Sequence, residues 1–428
     1  MADIRAFRGF RYDLGKVGAL SDVVCPPYDV IDAALQQQLL AKSPYNAVRL
    51  ELTPELPGDD EQENKYARAA RTLKEWTFGD TLKQDSGRSL YVYEQEFAVE
   101  GTTYTRRGFL ARVRLEPFGT GRIFPHEQTM SGPKADRLKL YQATGFNISP
   151  VFGIYPDDGG DVATVLEALA RTAPPTTATD HLGVVNRLWA VSDSHTIATL
   201  IGLLGPQPVF IADGHHRYET GLKYLDEQKA AGTIPDDEHP AHFCLMMLVG
   251  MSDPGLIILP THRLVSGLPG VTADKVEAAI APAFDIVGRF DTAEACWEHV
   301  QLEESQSVLG FGTVADGKWI AAKLRDVTAM NEVAGEQSEA WRGLAVSILH
   351  NLVLEKLLPG GTCQYVHLLK EVTDAVAAKG CDLACLVPPC GIDDVEEIAG
   401  NREKMPAKST YFYPKILTGM VLHSLKKE

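Results

Sequence analysis

The sequence predicts a mixed α/β protein, and three stretches carry that reading. An apolar β-type run, 208–212, breaks at Asp213-Gly214 and resumes with helical spacing through Leu222 and Leu225. Just upstream, Leu188-Trp189-Ala190-Val191 reads as a strand and 197–204 as a short helix, so β-α-β order leads into the run. Farther back, the alternating stretches 89–99 and 102–115 flank Glu100-Gly101 and predict a β-hairpin.

At 428 residues the chain exceeds what one hydrophobic core ordinarily supports. Two domains are expected: an N-terminal α/β domain over 1–150, and a second over 151–428 that carries the Asp-Gly run and uses the C-terminal tail to complete a sheet. A net charge of −16 argues against a protein that coats nucleic acid or an anionic membrane, since both need clustered cations. The first residues lack the apolar core of a signal peptide, and the longest apolar runs are far too short to span a bilayer. Seven cysteines, an odd number without regular spacing, suit a reducing cytoplasm. Cys381, Cys385 and Cys390 cluster without a nearby histidine and read as packing residues. Oligomeric state stays open, a homo-oligomer included.

Taken in order, Val23 to Ile31 reads as a short strand stopped by Pro26-Pro27. Pro27 and Tyr28 would form either a rigid wall beside a ligand or a plain entry to the domain. Asp32 is placed to cap the helix that follows, and 47–52 alternates like a strand. The stretch 64–78 is an amphipathic helix. A polar segment, 123–137, then gathers His126, Glu127, Lys134, Asp136 and Arg137 ahead of a helix at 137–143. It is either a solvated loop or part of a site: Glu127 or His126 could take a hydroxyl proton, and Lys134 or Arg137 could neutralise phosphate. Strands are expected at 242–248 and 256–263, where His262-Arg263 ends a strand. Helices are expected at 272–284, 344–358 and 366–379, the last closed by Gly380. In the tail, 405–415 alternates aromatic and polar residues like a strand, and Lys408-Ser409-Thr410 suggests phosphate contact, although no glycine-rich loop precedes it.

The stretch that concentrates chemistry is Asp213-Gly214-His215-His216-Arg217. A strand that empties into a helix presents backbone N–H groups and the positive end of the helix dipole, which together suit an anion. Gly214 permits close approach or positive φ, Arg217 is a bidentate clamp, and the histidines can carry protons. Asp213 alone reads first as a helix cap. Glu219 reads as first-turn helix support, and Tyr218 suits packing as well as binding.

That run resembles the signature of the ParB/sulfiredoxin-like superfamily, and within it the Asp-Gly-His-x-Arg motif of the free serine kinase group. Nearly end to end, the chain resembles the domain of unknown function 1015 family: Phe7 to Tyr12, Pro26 to Ile31, Asn46 to Leu50, the Asp-Gly-His-His-Arg run, and Met405 to Lys415. The resemblance implies a ParB/sulfiredoxin-like nucleotide-binding core with an additional α/β domain. It further implies phosphoryl transfer between a nucleotide, ADP or ATP, and free serine or phosphoserine, in either direction. On that reading Asp213 would hold Mg²⁺, Gly214, His215 and His216 would wrap the phosphate, Arg217 would clamp it, and His216 or Glu127 would handle the hydroxyl proton. Lys134, Arg137, Lys408, Ser409 and Thr410 would add phosphate contacts, with Pro27, Tyr28 and His126 toward the substrate. Two alternatives stand beside it. One is a metal-dependent hydrolase of a small phosphorylated metabolite, with Asp213, His215, His216 and His126 as ligands. The other is a non-enzymatic, ParB-like nucleotide-binding regulator.

Overall fold

A computed structural model describes residues 2–129 and 131–427; Met130, inside the polar segment read above, lies outside the described residues. The chain divides into two compact units. The first comprises Met1–Pro125, Thr129–Leu256 and Pro414–Glu428, and the second comprises His126–Gln128 and Ile257–Tyr413. The division does not follow the expected cut at 150. The reason is β-pairing, because the first sheet continues straight across that point.

Nine strands build that sheet: β1 (Ile4–Arg5), β2 (Leu90–Val99), β3 (Thr102–Arg114), β4 (Ile123–Pro125), β5 (Val151–Tyr155), β6 (Thr176–Thr179), β7 (Val185–Val191), β8 (Val209–Asp213) and β9 (Phe243–Gly250). Their order is β4-β8-β5-β9-β3-β2-β7-β6, with β1 on β3. The long β2–β3 hairpin turns at Glu100-Gly101, both at positive φ, as the alternation predicts. Strand β5 pairs parallel with β9 and antiparallel with β8, which makes the sheet mixed. One face packs a core that includes Phe109, Val113, Ile211, Tyr218 and Leu248. In strand β9 every residue is buried, so Phe243-Cys244-Leu245-Met246-Met247 is core, as its unbroken apolar run implies.

The second unit has its own six-stranded sheet: β10 (His262–Ser266), β11 (Phe284–Phe290), β12 (Val308–Thr313), β13 (Lys318–Leu324), β14 (Thr362–Val366) and β15 (Leu383–Leu386), in the order β11-β13-β12-β15-β10-β14. Its core includes Leu264, Trp297, Val308, Ala384 and Leu386. Separately, Ile257–Leu259 pairs with Tyr411–Tyr413, so the tail contributes a strand, shorter than the alternation suggests. All seven cysteines are free thiols, and burial raises Cys385 and Cys390, consistent with packing.

Several local expectations change. The segment read as a strand at 47–52 is instead a helical turn, Val48–Glu51. Asn46 explains it: its side-chain oxygen accepts from Val48 N at 3.0 Å, while its amide donates to Asp22 O and Val24 O. Val23 to Ile31 holds a single bridge, at Cys25, between two 3₁₀ turns, because Pro26 and Pro27 have no N–H to offer a ladder. The helix expected at 137 begins at Ser131, and Pro133 is tolerated there because a first-turn N–H has no intrahelical partner to lose. In the second unit, 362–366 is strand, and the following helix is Leu369–Ala377. Lys379, not Gly380, takes the left-handed position after it, with φ 54°. The 344–358 helix opens into a wide turn with i→i+5 bonding, Ile348–Leu357. Among the described residues no helix is long and apolar enough to cross a membrane.

Candidate functional site

Strand β8 ends at Asp213, Gly214 turns the chain at φ 86°, and the helix His215–Ala230 begins at once. This is the strand–turn–helix element that the sequence implies. Gly214 is required there twice over. Its φ is left-handed, and a Cβ at that position would meet the Arg217 guanidinium at 2.9 Å. Arg217 therefore folds back over the turn. It donates through Nη2 to Asp213 Oδ2 at 2.8 Å and through Nη1 to Pro150 O.

Asp213 does not cap the helix. The cap position belongs to Gly214, and the intrahelical ladder starts with Tyr218 N to Gly214 O at 3.0 Å. The Asp213 carboxylate instead lies between two cations, Arg217 and Lys415, with Lys415 Nζ 3.2 Å from Oδ1. Burial alone would raise this carboxyl, but Lys415 and Arg217 hold it well below the usual carboxylate range. Lys415 is itself placed by the returning tail. Gln95 Nε2 donates to Lys415 O at 3.1 Å, and Arg106 donates to Pro414 O while lying 4.8 Å over the Phe152 ring.

A second charge cluster lies in the same unit. Glu51, fully buried, accepts from Tyr28 N at 3.3 Å and from Ser149 Oγ at 3.0 Å, and its carboxylate is 3.8 Å from Arg137. Arg137 donates to Glu51 O at 2.8 Å and to Asp136, and lies 4.2 Å over the Tyr28 ring. The two clusters feel each other. Burial pushes Arg217 toward losing its proton, but Asp213, with Asp29, Glu51 and Tyr28, outweighs it and leaves the guanidinium above its ordinary value.

Sequence-predicted residues thus sort into groups. Asp213, Gly214, His215, His216, Arg217, Pro27, Tyr28 and Arg137 belong to the first unit, and Tyr28, Arg137, Asp213 and Arg217 interact electrostatically. His215 is buried and His216 half-buried in the first helical turn. Tyr218 is a packing residue: its ring stacks on Phe118 at 5.2 Å and its hydroxyl donates to Glu116 O. Lys134 pairs with Glu219 at 2.8 Å, which gives both residues a structural partner. In the second unit, His126 and Glu127 meet the tail. His126 Nε2 is 2.8 Å from Thr410 Oγ1, Glu127 accepts from Lys408 N, and Ser409 Oγ donates to Pro406 O at 2.6 Å. Lys408 takes φ 62° at this turn.

The metal role expected of Asp213 does not fit the geometry. Its carboxylate is engaged by two cations, which would repel Mg²⁺, and no group of three His, Cys, Asp or Glu among the described residues could hold a metal. Sequence reading missed Glu51, Asp29, Ser149 and Lys415. For Glu51 a signal was present: a carboxylate inside Ala47-Val48-Arg49-Leu50-Glu51-Leu52 is a buried charge that must find partners.

Comparison with known proteins adds the following. No curated protein matches. Among solved structures, free serine kinase in complex with AMP is similar at 11% identity and TM-score 0.35, over 69% of this chain and 86% of that one. A conserved hypothetical protein from Pyrococcus furiosus is similar at 12% identity and TM-score 0.34, over 69% and 90%. SbnI from Staphylococcus aureus, with a C-terminal truncation, is similar at 10% identity and TM-score 0.36, over 72% and 85%. These likenesses are too distant to assign an activity. The family described as "Protein of unknown function (DUF1015)" matches residues 4–347, so the chain belongs to the domain of unknown function 1015 family.

Proposed function

We propose that the protein is a phosphotransferase acting between a nucleotide, ADP or ATP, and the hydroxyl of free serine or its phosphate ester. The observation that carries the proposal is the Asp213–Arg217 turn. A helix of sixteen residues starts there on a glycine, and two cations, Arg217 and Lys415, flank a single carboxylate. Phosphoryl transfer asks a protein mainly for charge neutralisation and positioning. The helix N-terminus with Arg217 supplies an anion seat, and Asp213 holds both cations in place. In the first unit, His216 and the buried Glu51 are the groups suited to accept the hydroxyl proton. The Mg²⁺ expected from the sequence is given no step, since the residues around Asp213 do not fit it. Among the described residues no group of three His, Cys, Asp or Glu supports the metal that the hydrolase alternative needs.

The test is exchange of phosphate among ADP, ATP, serine and phosphoserine, followed with labelled phosphate. The proposal expects exchange in the wild-type protein and its loss in Glu51→Gln or His216→Gln. Nucleotide binding without exchange to serine would support the regulator reading. Absence of both exchange and binding would overturn the proposal.

A further inference from the structure

In the first unit the helix Ala33–Lys42 follows Pro26-Pro27 and packs thinly. Of the described residues in that helix, Leu39 is the one that is buried, and it joins a small cluster with Cys25, Ala47 and Val48 outside the core of the nine-stranded sheet. Beside the helix lies a cavity of about 380 Å³, floored by Val24, Cys25, Pro26, Leu35 and Leu39. That volume falls in the range of small-molecule sites, roughly 300–1,000 Å³. None of the residues that line it belongs to the Asp213 turn or to the Glu51 cluster.

An apolar space of this size ordinarily closes by collapse of its walls. Here each of three walls is pinned by polar contacts. The floor is held where Cys25 exchanges backbone hydrogen bonds with Thr418, at 3.2 and 2.8 Å, and where the Asn46 amide donates to Val24 O at 3.1 Å. The helix is capped by Asp32, which accepts from Leu35 N at 2.8 Å, and Lys42 Nζ at its far end donates to Ser21 O at 2.6 Å. The third wall is the turn between β6 and β7. Asp180 shapes it by accepting from Leu182 N at 2.8 Å and Val184 N at 3.0 Å, and Thr179 N donates to Ser21 Oγ at 2.8 Å. The cavity is therefore part of the fold rather than slack within it.

The rim decides what can enter. Its charged groups, Lys42 and Asp180, are of opposite sign and already engaged: Lys42 by Ser21 O and by Asp22 at 3.5 Å, Asp180 by the two backbone N–H groups. A charged ligand would meet both signs at once, over an apolar floor that penalises it. Gln38 and His181 also line the cavity, and among the described residues their side chains make no hydrogen bond. Partial burial, with Lys42 acting against Asp180, lowers His181, so the imidazole is neutral at physiological pH. A neutral amide and a neutral imidazole each offer an acceptor to an N–H or O–H. A ring body suits the pinned walls best, because it has no rotors to freeze on binding.

We propose that this cavity is a binding site for a small, uncharged ring compound that carries one N–H or O–H. The ring lies against Val24, Pro26, Leu35 and Leu39, and Gln38 or His181 accepts the hydrogen bond at the rim. The site takes its ligand independently of any nucleotide at the Asp213 turn.

The experiment is calorimetric titration of the full chain with indole, 1-methylindole and indole-3-carboxylate. Indole has the ring and the N–H, 1-methylindole lacks the N–H, and the carboxylate adds a charge. Indole is expected to bind one-to-one, 1-methylindole about fivefold more weakly, and indole-3-carboxylate roughly tenfold more weakly. Ala41 lines the cavity and is exposed, so Ala41→Trp is expected to fold, fill the space and weaken indole binding roughly tenfold. Gln38 and His181 are exposed as well, and the double variant Gln38→Ala/His181→Ala should bind indole about as weakly as wild type binds 1-methylindole. That second variant keeps the test decisive if Ala41→Trp fails to fold. Absence of saturable indole binding, equal affinity for the three compounds, or a double variant that binds indole like wild type would each overturn the proposal.

Discussion

Two buried arginines, one in each unit, are handled in opposite ways. Arg217 has a carboxylate partner, Asp213, and keeps its charge more firmly than in water. Arg263, in the second unit, is equally buried, but none of its hydrogen-bond partners among the described residues is a carboxylate, and the Glu127 charge offsets its burial only in part. It donates to Thr261 O, to Lys408 O at 3.0 Å and to His350 Nε2 at 3.1 Å, and lies 5.4 Å from the Tyr365 ring. Burial pulls its guanidinium down to about 10. The difference is one of electrostatic design. Asp213 with Arg217 and Lys415 is a preorganised charge set, whereas Arg263 is a hydrogen-bond hub that ties backbone carbonyls together while its charge is a burden.

Removing the carboxylate should have the largest effect. Asp213→Ala leaves two cations facing each other and should lower stability by about 3–5 kcal/mol, read by urea denaturation. Asp213→Asn should cost less, since an amide oxygen still accepts from Arg217. A loss below about 1 kcal/mol for Asp213→Ala would erase the contrast with Arg263. Next comes Arg217→Ala, which should weaken ADP binding by about 2–3 kcal/mol in calorimetry. Unchanged ADP affinity would reduce Arg217 to a structural partner of Asp213 and Pro150.

A third prediction concerns acid. In the second unit, burial chiefly, with Arg263 and His367 adding to it, depresses His262 from its ordinary 6.5 to about 3. Between those values the unfolded chain binds the proton and the folded chain does not, so stability is full above 6.5 and falls as pH drops toward 3. At pH 5 the loss from this residue is about 2 kcal/mol. His262→Gln can still accept from Val387 N, as His262 Nδ1 does at 3.2 Å, and should flatten the fall between pH 6.5 and 4.5. A stability profile as steep as wild type would mean that other groups carry the acid sensitivity. Smallest of all should be Arg263→Met, which removes a buried charge that Glu127 offsets only in part, along with its hydrogen bonds, and should change stability by less than about 1.5 kcal/mol. A loss as large as that of Asp213→Ala would show that the hub matters more than its charge burden.

Much of the first unit was legible in the sequence because it is built from local rules. The hairpin declares itself by alternation and a Glu-Gly turn, and the Asp213 turn by a strand that breaks at Gly before helical spacing resumes. What stayed illegible is long-range. Nothing local to Lys415 says that it will reach Asp213, more than two hundred residues earlier; that follows from the returning tail and its anchors on Gln95 and Arg106. Glu51 was hidden by an alternation that Asn46 overrides with its own backbone hydrogen bonds. The domain cut at 150 failed to match the two units for a related reason: strands β3, β5 and β9 come from both sides of it and pair in one sheet.

The central claim is that nucleotide phosphate sits at the start of the helix His215–Ala230. The most direct measurement is the backbone amide spectrum of isotope-labelled protein during titration with ADP. The account predicts that the His215 and His216 amide resonances move most, together with the Arg217 side-chain Nε–H. It would be contradicted by ADP that binds while those three signals stay where they are.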